Sequence, residues 1–199
     1  MSTVKDEAIK LRKNIDAVYE AGKTAEWDRF WDEFQQNGNK TNYRYAFFNW
    51  PDSNYKPKHP IILNSQANDV FYYCKMTDTK VDISANTGLT RCFSQCTALE
   101  TIRKLTVTED VSYSSDCFAK CTSLTNVTFE GVIGNTISFA DSPLSVDSMI
   151  SIISCLKNIG DHSCTITFSP TCWDALEADS SSPDGGTWKN YVESLGWNT

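Results

Sequence analysis

The residues of this 199-residue chain best equipped for chemistry are eight cysteines, two histidines and a few clustered carboxylates. Four cysteines form two spaced pairs, Cys92-x₃-Cys96 and Cys117-x₃-Cys121. Four thiolates suit zinc, but structural zinc sites favour C-x₂-C knuckles, and each pair here straddles a Phe. A free Cys is among the most buried residue types and behaves as a small apolar side chain. Packing at a crowded corner is therefore the preferred reading, with zinc binding and redox pairing as its alternatives. A Cys/His nucleophile is the second candidate. His162 and Cys164 would share a strand face, but no orienting acid or oxyanion hole accompanies them, and His59, between Lys58 and Pro60, reads as loop. Carboxylates are the third. Glu109-Asp110 and Asp28/Asp32/Glu33 cluster, yet nothing places two of them across a cleft as glycoside hydrolysis requires. The phosphate-loop, dinucleotide, zinc-protease and EF-hand patterns are absent. The sequence thus assigns no catalytic, cofactor-binding or metal-ligating residues and no cofactor, and the ligand-binding residues stay unknown.

What must position these side chains is a repeat. Cys92-Phe93-Ser94-Gln95-Cys96-Thr97-Ala98-Leu99-Glu100-Thr101-Ile102 recurs, 25 residues on, as Cys117-Phe118-Ala119-Lys120-Cys121-Thr122-Ser123-Leu124-Thr125-Asn126-Val127. Internal periods of roughly 20–50 residues mark arrays of stacked units. Phe71-x-x-Cys74 and Phe139-x-x-Ser142 extend the grid, so four Phe anchors recur at 22, 25 and 21 residues. Ser142 stands where the other units have Cys, which favours packing over metal. The short alternating runs Val81–Ile83, Leu99–Ile102, Leu124–Phe129 and Val132-Ile133 read as strands with one buried side.

The flanks differ. Over residues 1–22, Val4, Ala8, Leu11, Ile15 and Val18 are spaced 4, 3, 4, 3, the seam of a coiled coil. Two readings stand: a helix lying on the rest of the protein, and a short parallel coiled coil that makes the chain an oligomer. A second helix carries Trp27, Phe30, Trp31 and Phe34 on one face and stops at Asn37-Gly38-Asn39. The aromatic, proline-punctuated stretch 39–60 reads as a cap over an open apolar end, with an exposed ligand surface as its rival. After 143, Ser145 caps a helix with Met149, Ile152, Ile153 and Leu156 on one face, Ile159 one turn further on and Gly160 at the stop. Cys164, Ile166 and Phe168 alternate as a strand, Ser169-Pro170 opens another helix, and Thr187 opens a last one before Gly196, where Trp197 folds back. The expected organisation is 1–38 N-terminal helices for oligomerisation or anchoring, 39–60 aromatic cap, 61–142 repeats and 143–199 C-terminal α/β cap.

Composition narrows the function. Hydrophobic content of 40% excludes a disordered chain, and a net charge of −7 argues against nucleic acid or an anionic membrane surface as partner. No run of about 18 apolar residues exists to span a bilayer. The polar start lacks the apolar core of a signal peptide, so the chain is expected to fold in a reducing cytoplasm with its thiols free.

The run Phe118 to Val127, and almost as well Phe93 to Ile102, resembles the BspA-type leucine-rich repeat, whose unit reads roughly A-F-x-x-C-x-s-L-t-x-I. The resemblance implies an α+β protein: a small leucine-rich-repeat solenoid with an N-terminal helical segment of coiled-coil spacing and a C-terminal helical cap. Such repeats occur in bacterial surface adhesins and in structural proteins of bacteriophages and prophages. The short array implies the latter: a non-enzymatic virion protein of tail, baseplate or head. It would self-associate through Val4, Ala8, Leu11, Ile15 and Val18, as a trimer, and contact other virion proteins or a host surface protein or glycan. An adhesion or protein-interaction module and a cell-wall-directed hydrolase are the alternatives.

Overall fold

A computed structural model describes residues 10, 11, 13, 60–63, 67–179 and 182–199. Apolar residues at alternate positions form β1 (Ile61–Leu63), β2 (Asp82–Ala85), β3 (Thr101–Val107) and β4 (Asn126–Gly131), which pair in parallel in the order β1-β2-β3-β4. Ile61, Ile83, Leu105 and Phe129 face inward along one row, while Ile62, Ser84, Thr106 and Glu130 face outward along the next. Ahead of each of the last three strands lies a tight turn carrying one Phe. The rings of Phe71, Phe93 and Phe118 stack nearly parallel with centroids 5.0 and 5.3 Å apart, and Phe139 continues the column at 4.4 Å. All four are essentially solvent-free.

The expected single leucine-rich-repeat solenoid over 61–142 is corrected by this architecture. The strands belong to two separate parallel sheets. The second holds β5 (Ile137–Phe139), β6 (Cys164–Phe168) and β7 (Trp197–Asn198), and β5 pairs with β6 rather than with β4. The fourth anchor, Phe139, ends strand β5, whereas the three before it sit in turns. What occupies the edge of β4 is a helix, α1 (Val146–Ser154). Two of its serines meet the strand backbone in place of a neighbouring strand. Ser148 Oγ accepts the Val127 amide at 2.9 Å and donates to the Thr125 carbonyl at 3.1 Å. One turn on, Ser151 Oγ accepts the Phe129 amide at 3.0 Å and donates back to the Phe129 carbonyl at 3.4 Å. A hydroxyl both donates and accepts, so it answers a strand edge as a peptide group would. Ser148→Ala should leave the Val127 amide without this acceptor in a buried setting and cost about 1–3 kcal/mol. A urea titration checks this; an unchanged midpoint would mean that water replaces the hydroxyl.

Further along the chain lie α2 (Pro170–Glu177) and α3 (Trp188–Ser194). The expected caps are present: Ser145, Ser169 and Thr187 each accept the backbone amide three residues on. Helix α1 ends earlier than expected. Cys155 caps it, and Leu156 leaves to bridge Ile133 in parallel. Val132 is 40% exposed and outside any strand. Trp197 does fold back, pairing with Cys164. Gly131 closes β4 at φ +97°, where a Cβ would stand 2.0 Å from the Val107 carbonyl oxygen, so the close approach of β3 and β4 requires glycine there.

Of the N-terminal seam, Leu11 alone is described. It is helical, half-buried and packed against the core. Val4, Ala8, Ile15 and Val18, the second helix and the cap over 39–59 lie outside the described residues, as do His59, Asp28, Asp32 and Glu33.

Candidate functional site

The repeat cysteines are enclosed by the fold. Cys74, Cys92, Cys96, Cys117 and Cys121 are at most 1% exposed, and all eight thiols are free. Their packing follows the turns. Cys96 Sγ donates to the Phe71 carbonyl at 2.8 Å, and Cys121 Sγ to that of Phe93 at 3.1 Å. Each thiol thus ties one turn to the turn before it. Burial raises the thiol pKa of Cys92, Cys96 and Cys117 well above its ordinary value and pushes that of Cys121 up to about 12. Neutral, enclosed thiols are poor nucleophiles and poor metal ligands. Among the described residues no group of three or more His, Cys, Asp or Glu stands where it could hold a metal ion. The comparable corner at Ser142 is 1% exposed, and its hydroxyl has no hydrogen-bond partner among the described residues. The longer C–S bond of Ser142→Cys should reach the Phe118 carbonyl as its counterparts do, raising stability by about 1 kcal/mol in chemical denaturation. A loss of that size would show the corner too tight for sulfur.

The other candidates separate. His162 precedes β6 in a turn at φ +53°, and Cys164 Sγ points instead to the Gly134 carbonyl at 3.6 Å. Glu109 pairs with Lys157 at 2.9 Å, bridging two elements at the surface.

The feature that gathers polar side chains is the outer face of the four-stranded sheet, and a β-bulge organises it. Ile102 pairs with Val127 and Leu105 with Phe129, so β3 carries one extra residue between them. Both Ile102 and Leu105 stay buried, and both Arg103 and Lys104 turn outward. The ladder is repaired locally: the Arg103 amide donates to Thr79 Oγ1 at 3.0 Å, and that buried hydroxyl donates to the Val81 carbonyl at 3.2 Å. Bulges re-aim side chains in this way. Lys104 lies 2.9 Å from Glu130 and 3.3 Å from Asp82, and Arg103 3.7 Å from Asp82. The Glu130 hydrogen bond, followed by that of Asp82, holds the Lys104 pKa above its ordinary value. Beside it, Asp78 is held below the usual carboxylate value: burial alone would raise it, but hydrogen bonds from the Lys80 side chain and amide outweigh that.

The C-terminal ends of β1–β3 border a shallow depression of about 130 Å³. Ile62, Ala85 and Val107 make its apolar walls, and Ser84, Asn86 and Thr106 its polar rim. Small-molecule and cofactor sites run from about 300 Å³ upward. This one is the size of a single side chain. Ile62, 48% exposed, stands at its edge. Sequence reasoning missed the bulge, although the three-residue step from Ile102 to Leu105 marks it in an otherwise alternating strand. Among the described residues no helix is long and apolar enough to cross a membrane. Comparison with protein-family models, curated proteins and solved structures finds no match.

Proposed function

We propose that the chain is a non-enzymatic structural and binding protein of a bacteriophage or prophage particle, holding a neighbouring virion protein or a host surface component against the outer face of its four-stranded sheet. One observation carries this reading: the repeat thiols Cys74, Cys92, Cys96, Cys117 and Cys121 are sealed in the core, while accessible polar groups spread over a sheet face. The bulge pair Arg103/Lys104 sets two cations between Asp82 and Glu130 there. Alternating charge of this kind selects a partner and fixes its register, and the depression beside Ile62 accepts one anchoring side chain. The BspA-type resemblance of Phe93–Ile102 and Phe118–Val127 supplies the phage assignment. Particles released by prophage induction of the source bacterium, purified on a density gradient, should contain the chain by immunogold labelling. Its absence from purified particles sinks the reading.

Self-association through Val4, Ala8, Leu11, Ile15 and Val18 belongs to this proposal. A monomeric protein-interaction module is the second reading, and the packing of Leu11 against the core favours it. Sedimentation of the full-length chain, with and without residues 1–22, decides between them: a trimer lost on deletion supports the first, and a monomer throughout the second.

A further inference from the structure

The three stacked turns contain their own control. Phe71-Tyr72-Tyr73-Cys74, Phe93-Ser94-Gln95-Cys96 and Phe118-Ala119-Lys120-Cys121 make the same backbone turn. The Cys amide returns to the Phe carbonyl at 2.8, 3.2 and 3.2 Å, and the residue before each Cys is left-handed, at φ +59°, +65° and +58°. Two of the three are built with Ser-Gln and Ala-Lys, so the turn has no need of aromatics. Tyr72 and Tyr73 are surplus to it. Tyr73 is 45% exposed, and its ring stands edge-on to that of Tyr72, with centroids 4.6 Å apart. Tyr72 is buttressed by a charged pair. Arg91 lies over the Tyr72 ring at 5.5 Å, and a buried Asp69 grips the same guanidinium through two contacts of 2.8 and 3.1 Å.

A second observation concerns charge. Between residues 67 and 179 the chain has seven Lys or Arg. Lys80, Arg91, Arg103, Lys104 and Lys157 all pair with carboxylates. Lys75 and Lys120 form no ion pair among the described residues, and both are exposed. Both belong to these turns: Lys75 follows the Tyr pair by two residues, and Lys120 holds the position of Tyr73 two turns along the stack. The nearest carboxylate in that column, Asp141, accepts the Lys120 amide at 2.8 Å. In a protein of net charge −7, a tyrosine corner flanked by two uncommitted ammonium groups is complementary to acidic chain.

We propose that this turn surface docks an extended acidic segment of a protein partner, with an apolar or aromatic side chain against Tyr73 and carboxylates at Lys75 and Lys120. Tyrosine suits such a role, since it supplies a large amphipathic contact area with few torsions to freeze. Stacked rings 5.0 and 5.3 Å apart put the Tyr73 and Lys120 positions about 10 Å from each other, or about three residues of extended chain. The surface is built from turns rather than strands, and it stands whether or not the chain belongs to a phage particle.

The test uses the full-length chain and a fluorescein-labelled peptide of alternating Glu and Tyr, followed by anisotropy. Saturable binding is expected, weakening with salt. Tyr72→Ser/Tyr73→Gln copies the next turn into this one, so it keeps a backbone the protein already folds, and it should weaken binding about tenfold or more. Lys75→Glu/Lys120→Glu should do the same, whereas Lys157→Glu, whose lysine pairs with Glu109 away from both the turns and the outer sheet face, should leave binding unchanged. No saturable binding at millimolar peptide overturns the proposal. So does binding that survives both double variants, equal binding of a Lys-Tyr peptide, or equal binding of dextran sulfate, which would reduce the surface to a general anion site. Loss of binding with Lys157→Glu alone would show a response to net charge rather than to the turn lysines and overturn the assignment to the turns.

Discussion

Raising the pH from 9 to 11 in the presence of a reductant should unfold this protein cooperatively, with a midpoint between about pH 10 and 11. Four thiols drive it. Cys92, Cys96, Cys117 and Cys121 are enclosed, and burial raises each folded-state pKa above the ordinary value of 9.0. A raised pKa stabilises the fold fully below the unfolded value, and that contribution is lost as pH climbs towards the folded value. For Cys121 the window runs from 9.0 to about 12. Within it the unfolded chain has released a proton that the folded chain still holds, so each thiol removes about 1.4 kcal/mol of stability per pH unit. The four together remove roughly 5–6 kcal/mol per unit, against a total of about 5–15 kcal/mol for a typical domain. Burial also raises the pKa of Tyr113, which adds to the loss above pH 10. Far-UV circular dichroism against pH measures the midpoint, and removing one thiol by Cys117→Ala should make the transition less steep by about a quarter of the thiol contribution. A fold intact at pH 12 would show that deprotonation of the unfolded thiols does not outweigh the stability of the fold, and would overturn this prediction.

Phe118→Ala should cost about 3–5 kcal/mol. Phe118 is 1% exposed and lies between Phe93 at 5.3 Å and Phe139 at 4.4 Å. Truncation removes the transfer energy of the ring and leaves a cavity that neighbours on fixed turns cannot fill, because each turn is tied to the next through backbone and thiol hydrogen bonds. Two stacking contacts go as well, each worth about 0.5–1.5 kcal/mol beyond area. Phe118→Leu keeps most of the volume and should cost less than about 2 kcal/mol. Chemical denaturation with both variants separates ring stacking from burial. In the double variant Phe93→Ala/Phe118→Ala the costs should fall short of additive by about 0.5–1.5 kcal/mol, since the contact between the rings is lost once rather than twice. A cost below 1 kcal/mol for Phe118→Ala would show that the column contributes little.

Much of this was legible in the chain. The 25-residue offset between Phe93 and Phe118 gave the stacked turns, because identical residues at a fixed period take equivalent places. Replacement of Cys by Ser142 pointed to packing, and the buried thiols agree with it. Ser145, Ser169 and Thr187 marked three helix starts by their hydrogen-bonding chemistry alone. The extrapolation from repeated turns to one continuous solenoid failed. Local periodicity reports which residues share a face, not which element takes the next place at a sheet edge. That was decided by Ser148 and Ser151, polar residues on a helix whose apolar face drew attention elsewhere. A serine every third position from Ser145 to Ser154 was the available sign. The bulge escaped for a similar reason: one inserted residue leaves the alternation intact on either side, and only the step from Ile102 to Leu105 betrays that Arg103 and Lys104 both face outward.

The serine contacts on β4 also act as a terminator. A parallel sheet grown by repetition has no internal instruction to stop, since each added unit presents the same edge as the last. Here growth beyond β4 is stopped by a helix that meets its edge with two hydroxyls and presents no strand there. Duplicating residues 92–116 would therefore lengthen the sheet from within, while a copy placed after β4 would have to displace α1 to join it. The same hydroxyls that complete the fold occupy the edge to which a further strand would add.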